Sequence, residues 1–133
     1  DWSSDVCSSD LHGSTYGGNP LACAVAITAL QVLKDENMVQ NATEMGQLLR
    51  DELKKLNSPF IKIVRGRGLL NAIVIEHTNP DAAWELCLAM KENGLIAKPT
   101  HGDKIRFAPP LVITKEQITE CVNIIAKSLQ QLT

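Results

Sequence analysis

The sequence predicts an α+β fold, with helices packed over a small and largely antiparallel sheet. Three observations predict it. The elements run helix, helix, strand, strand, helix, strand, strand, helix, an order that suits helices layered on one sheet. Apolar residues recur at spacings of three and four in the longer segments, the mark of one buried helical stripe. Capping and turn residues punctuate the chain where those periods change. At 133 residues the chain is at most one domain with one core. Hydrophobic content of 44% and charged content of 21% are ordinary for a globular chain.

The first eleven residues, DWSSDVCSSDL, carry neither a helical nor a strand period. They resemble the conceptual translation of a sequencing-library adapter, and residues 1–11 are set aside from fold reasoning as a non-native tail. The next stretch, HGSTYGGNPLACAVAI, places hydroxyls and a Gly-Gly pair directly before an apolar run. Asn19 is a good N-cap and Pro20 suits the first helical turn, so a helix should start there. Ser14, Thr15, Gly17 and Gly18 then precede a helix N-terminus, where free N–H groups and the helix dipole favour an anion. Two readings stand on these residues alone: an anion cradle, or an ordinary capped turn that uses glycine for its geometry. The helix itself, Leu21 to Leu33, is apolar nearly all round, broken only by Thr28 and Gln31. Such a helix must be covered on most sides.

A second helix is predicted from about Glu36 to Leu56, with Val39, Ala42, Met45, Leu49, Leu53 and Leu56 on its buried stripe. Asn57-Ser58-Pro59 ends it. Phe60 to Val64 reads as a strand, Arg65-Gly66-Arg67-Gly68 as a turn, and Leu69 to Ile75 as a strand buried on both faces. Asn79-Pro80 repeats the cap signal for a helix reaching Asn93, with Gly94 as its C′ residue and Ala83, Leu86, Cys87 and Met90 on the apolar stripe. Leu95 to Lys98 and Ile105 to Phe107 read as short strands around the turn Pro99 to Asp103, and Pro109-Pro110 stops the second. Thr114 to Gln117, TKEQ, matches a capping box. The last helix should bury Ile118, Cys121, Val122, Ile125, Leu129 and Leu132.

Composition narrows function. Net charge is −2, Lys and Arg are scattered, and aromatics are 4% of residues, so no nucleic-acid partner is expected. No apolar run approaches membrane length. Cys7, Cys23, Cys87 and Cys121 include no CxxC pair, and the last three sit in apolar helical surroundings, which points to free thiols in a reducing compartment. His12, His77 and His101 show no metal-ligand spacing, so no metal is expected. Arg106, in the strand IRF just before Ala108-Pro109-Pro110, could grip a carboxylate through its fixed fork, or could be an exposed strand arginine. Arg65 and Arg67 read as turn residues that are solvated or paired structurally, His101 as a turn residue, and Lys98 as structural.

Four of these segments carry a resemblance. HGSTYGGNPLACAVA resembles the phosphate-cup loop of the class III aminotransferases, pyridoxal-phosphate enzymes of fold type I. RGRGLLNAIVIE, NGLIAKPTHGDKIRFAPPLVI and the closing helix resemble the C-terminal small domain of the branch that acts on ornithine. The resemblance runs from His12 to Thr133. It implies pyridoxal 5'-phosphate as cofactor, and ornithine and 2-oxoglutarate as substrates giving glutamate 5-semialdehyde and glutamate. It implies that Ser14 and Thr15 hold the cofactor phosphate of the opposite subunit in a homodimer, and that Arg106 meets a substrate carboxylate. It divides the chain into a phosphate-cup loop and linking helix at residues 12–35 and a small domain at 36–133. The family's cofactor-anchoring lysine, its aspartate and its stacking aromatic lie upstream of the matched segment. The resemblance therefore implies a C-terminal part without activity of its own, from an enzyme of the cytosol or mitochondrial matrix. The alternatives are a class III enzyme acting on acetylornithine or 4-aminobutyrate, or a non-enzymatic α+β module binding a phosphate ligand.

Overall fold

The computed structural model describes residues 15–132, so the adapter-like tail at 1–11 and Ser14 lie outside the described residues. The chain divides into two compact units, at Glu36 and Asn37.

The first unit carries α1, Pro20–Asp35, which starts where its cap signal predicts. Pro20 occupies the first turn, and the Asn19 side chain accepts a hydrogen bond from the Ala22 N–H at 2.9 Å. The helix buries none of its residues, and Leu21, Val25, Ile27 and Leu30 are all exposed. Among the described residues no helix is long and apolar enough to cross a membrane.

The second unit holds three helices and one sheet. They are α2 (Met38–Lys55), β1 (Ile61–Arg67), β2 (Leu70–Ile75), α3 (Ala82–Glu92), β3 (Lys98–Thr100), β4 (Lys104–Phe107) and α4 (Lys115–Leu129). The strands lie in the order β1-β2-β4-β3, with every neighbouring pair antiparallel. The crossover from β2 through α3 to β3 leaves a gap that β4 fills, a split β-α-β arrangement. The α+β class predicted from the element order is the observed one.

One face of the sheet makes the core. Ile73 pairs with Val64 on one side and Ile105 on the other. Ile73 and Ile105 are fully buried against Leu49 and Leu53 of α2, Leu86 and Met90 of α3, and Ile118, Val122 and Ile125 of α4. Each such side chain contributes roughly 1.5–3 kcal/mol through removal from water. Caps set the helix ends. Thr114 and Gln117 form the predicted capping box, each side chain bonded to the other's backbone N–H. At the end of α3, Gly94 takes φ 96°, and the N–H groups of Gly94 and Leu95 donate to Lys91 and Met90 at 3.0 and 2.9 Å. That pattern closes the helix as a Schellman motif with Gly94 at C′, as predicted.

Several expectations of boundary and burial are corrected. Helix α2 begins at Met38 rather than Glu36, because Asn37 adopts a left-handed φ of 51° and breaks the run. Its Val39 is exposed, so the buried stripe starts a turn later. The segment Arg65 to Gly68 is not a turn. Strand β1 runs on to Arg67, and Gly68-Leu69 alone joins Arg67 to its partner Leu70, with Gly68 at φ 52°. A two-residue hairpin with glycine first needs only those two positions. Strand β2 is buried on both faces only over Ile73 to Ile75, since Leu70 at its start is 61% exposed on the side away from the helices. The strand predicted at Leu95 to Lys98 begins only at Lys98 and includes Pro99. Strand β3 is a sheet edge, where a proline's missing N–H is tolerated. On α4, Cys121 is half-buried rather than buried, and Leu132 is buried beyond the helix end.

Candidate functional site

The candidate site residues fall in separate units, Thr15 in the first and Arg106 in the second. Thr15 opens the turn Thr15 to Gly18 immediately before α1 and is exposed. Asn19 ties this turn to the helix. Its side-chain amide donates to the Tyr16 carbonyl at 3.0 Å while its oxygen caps the Ala22 N–H. Gly18 takes φ 75°, and the space where a Cβ would sit is open. The loop thus presents a hydroxyl and backbone donors at the positive end of a sixteen-residue helix, a donor set suited to a phosphate.

Arg106 lies in the middle of β4 and is exposed on the sheet face away from the helices. Register explains its surroundings. Arg65 pairs with Ala72, Ala72 with Arg106, and Arg106 with Lys98. Directly paired residues point to the same face, so one row across the four strands reads Arg65, Ala72, Arg106, Lys98. Arg67 and Leu70 form the next row on that face. Arg65, Arg106 and Lys98 make no ion pair among the described residues. A cavity of about 360 Å³ opens here, lined in part by Arg65, Ala72, Thr100 and Arg106.

Lys104 and Asp103 form an ion pair at the rim. The hydrogen bond from Lys104 holds the Asp103 carboxyl below its ordinary range, with the charge of Arg65 a smaller contributor. His101 sits in the β3–β4 turn at φ 53°, the turn role its sequence suggested. Among the described residues no group of three or more His, Cys, Asp or Glu could hold a metal.

Beneath the sheet, Arg50 of α2 binds the hairpin. Its Nη1 donates to Gly68 O at 3.0 Å and to Asn71 Oδ1 at 2.8 Å, and its Nη2 donates to Gln47 Oε1 at 2.9 Å. Asn71 Nδ2 donates to the same Gly68 carbonyl at 3.1 Å. Asn71 is 2% exposed, and no buried side-chain polar atom is without a partner among the described residues. Sequence reasoning did not single out Arg50 or Asn71. A polar Asn in an otherwise apolar strand was the available signal.

A fold of this kind with a hydroxyl loop before an apolar helix defines a class. The chain belongs to the aminotransferase class III family, which it matches over residues 3–129. Among individual proteins it is 58% identical over 118 residues to the mitochondrial ornithine aminotransferase of Rattus norvegicus, covering 89% of this chain and 27% of that protein. It is 58% identical over 123 residues to the ornithine aminotransferase of Emericella nidulans, covering 91% of this chain and 27% of the relative. The chain thus spans about a quarter of the length of these relatives.

Solved structures agree. An acetylornithine aminotransferase from Elizabethkingia anophelis superposes with a TM-score of 0.84 at 58% identity, over 90% of this chain and 32% of that one. The ornithine aminotransferase of Toxoplasma gondii, described with partial occupancy of PLP at its active site, superposes at 0.81 with 46% identity, over 96% of this chain and 31% of its own.

Proposed function

We propose that this chain supplies the phosphate loop and the C-terminal small domain of a pyridoxal-phosphate aminotransferase that moves the δ-amino group of ornithine to 2-oxoglutarate. Residues 12–35 provide the loop and linking helix, and residues 36–133 the small domain. The observation that carries the reading is Arg106. It stands on a rigid strand, exposed and without an ion pair among the described residues, in a chain of this family.

Pyridoxal phosphate, when bound, supplies the electron sink for amino-group transfer. This chain's residues bind and orient. Thr15, with Ser14, donates hydrogen bonds to the cofactor phosphate, and the dipole of α1 favours that charge. In this reading the loop serves the opposite subunit of a homodimer. Arg106 holds a substrate carboxylate with two parallel hydrogen bonds and fixes the chain of the substrate relative to the reacting carbon. The lysine and aspartate that work on the cofactor lie in the part of the enzyme that precedes this segment. The reaction belongs inside the cell, in the cytosol or the mitochondrial matrix, and relatives named as mitochondrial occur in rat and fly.

A chimera tests this. The C-terminal quarter of the rat enzyme is replaced by residues 12–133. The chimera should form glutamate 5-semialdehyde from ornithine, whereas the 133-residue chain mixed with pyridoxal phosphate and both substrates should form none. Arg106→Gln in the chimera should lower kcat/KM by roughly 10- to 100-fold, the scale of one lost charge-assisted contact. Thr15→Ala should weaken cofactor retention on dialysis about tenfold. Full activity in both variants would overturn the assignment. The 58% identity to an acetylornithine aminotransferase favours a second reading, in which acetylornithine is the donor. Assaying both donors on the same chimera separates them.

A further inference from the structure

The connection from the sheet to α3 depends on one imidazole. Strand β2 ends at Ile75 and α3 begins at Ala82, and residues 76–81 carry the chain from one to the other. His77 lies in this connection and is half-buried. Its ring meets that of Phe60 with centroids 5.3 Å apart and planes tilted by 50°. The Glu76 N–H donates to the Phe60 carbonyl at 2.9 Å, so the backbone beside the two rings is joined as well.

Helix α3 has no side-chain cap of its own. Asp81 occupies the N-cap position without a side-chain hydrogen bond. Asn79 substitutes for it from two residues back. Its Oδ1 accepts from the Asp81 N–H at 2.9 Å, and its carbonyl accepts from the Ala82 N–H at 3.2 Å. A helix start leaves such N–H groups without intrahelical partners. Asn79 is held in turn by His77, because the Asn79 N–H donates to His77 Nδ1 at 3.0 Å. The relay thus runs from His77 through Asn79 to the first turn of α3, where Ala82, Ala83 and Leu86 are buried.

An imidazole loses its acceptor when it gains a proton. With one proton on Nε2 the ring accepts at Nδ1, whereas the cation donates from both nitrogens. Protonation of His77 would set one N–H against another. The contact with Phe60 does not oppose this, since an aromatic face tolerates a cation. The charged groups on the elements that meet here form two ion pairs, Lys62 of β1 with Glu76 and Lys104 with Asp103, whose carbonyl accepts from the Ile75 N–H. Asp81 and Glu85 add two acids at the start of α3. None of these side chains is hydrogen-bonded to the Asn79 N–H among the described residues.

We propose that His77 is a pH-sensitive latch on the first turn of α3. Its neutral ring holds Asn79, and protonation at Nδ1 releases Asn79 and loosens the turn that Asn79 caps. The latch is closed on the alkaline side of the imidazole range and opens as pH falls through it. It is independent of the reading of Arg106.

The test is hydrogen exchange of the 133-residue chain followed by NMR at pH 8 and pH 5, with each rate expressed as protection relative to an unstructured amide. Protection of the Asp81 and Ala82 amides should fall about fivefold between the two, the scale of one hydrogen bond. The Ile118 amide on α4, bonded to the Thr114 carbonyl, should not follow. At pH 8 the ring nitrogen signals should show the proton on Nε2. His77→Phe keeps an aromatic ring beside Phe60 and removes the acceptor, so protection should be low at both pH values. His77→Asn restores an acceptor that does not titrate, two residues before the same N–H, and should keep protection high at both.

Unchanged protection in the wild-type chain would overturn the latch. So would an equal fall in His77→Asn, a proton on Nδ1 at pH 8, or full protection in His77→Phe. A parallel fall at Ile118 would show general loosening in acid and would also refute it.

Discussion

Arg50 on α2 and Asn71 on β2 meet across 21 positions of sequence, Nη1 donating to Oδ1 at 2.8 Å. The same guanidinium reaches the Gly68 carbonyl in the hairpin turn. One helix residue therefore fixes both the turn and the strand that follows it. The contact is half-buried on the arginine side and buried on the asparagine side, where an unpaired amide oxygen is costly.

Arg50→Met should accordingly lower stability by about 2 kcal/mol in urea unfolding, because Asn71 Oδ1 would lose its donor while remaining buried. Asn71→Ala should cost a similar amount. The double variant should lose clearly less than the sum, since each single change already breaks the shared interaction. Simple additivity would show that the two residues act independently.

The approach of α2 to the same turn makes a second prediction. A Cβ on Gly46 would sit 1.8 Å from the Gly68 carbonyl oxygen, which is backbone and has little room to move. Gly46→Ala should destabilise the fold by about 3 kcal/mol through overpacking, although alanine is the better helix former. A stabilised variant in the same assay would mean that the hairpin and helix are not held this close.

At the start of α4, Thr114→Ala removes one half of the capping box. The expected loss is about 1 kcal/mol, and Thr114→Ser should recover most of it because the hydroxyl is retained. Calorimetric melting of the three proteins gives the comparison, and no difference between Ala and Ser would refute the role of the hydroxyl.

Burial pushes the Cys87 thiol up from 9.0 to about 11. In the unfolded chain the thiol loses its proton near pH 9, whereas the folded chain keeps it until about pH 11. Folding thus favours the protonated form, and its contribution is fully present below about pH 9 and lost as pH rises towards 11. Stability should fall across that window, and Cys87→Ala should flatten the fall. Cys121 shifts in the same direction, through burial first and then the neighbouring Glu120. Exposed Cys23 should react with iodoacetamide at pH 7.5 well before Cys87. Mass spectrometry of timed samples reads the order.

The helices, and the ends that carry a working cap, were legible because their signals are local, whereas α2 starts after a left-handed Asn37 and α3 starts at Ala82 with Asp81, not Asn79, at its N-cap. Asn19-Pro20, Thr114 with Gln117, and Gly94 each act within one turn of chain, and each does what its residue type predicts. The strands were less legible. Whether Arg65 belongs to a turn or a strand depends on whether Ala72 lies beside it, and Ala72 is placed by β4 and by Arg50 on α2. Pro99 read as the start of a turn because nothing local says that β3 is an edge. The site showed the same division. Arg106 was identified singly, from its strand and from family resemblance. Its row with Arg65 and Lys98 could not be read, since scattered basic residues become a patch only once register is known.

The two-residue hairpin at Gly68-Leu69 imposes a parity rule on this domain. Next to the turn, β1 directs Val64 to the core and Arg65 and Arg67 to the opposite face, so the two arginines stay in water only while the count of residues through the turn is preserved. Insertion of one residue there would exchange the two sets, turning guanidinium groups towards Ile73 and Leu53 and Val64 towards solvent. Insertion of two would keep the alternation and merely lengthen the loop. Natural variation and engineered grafts at this turn should therefore accept even changes in length far more readily than odd ones.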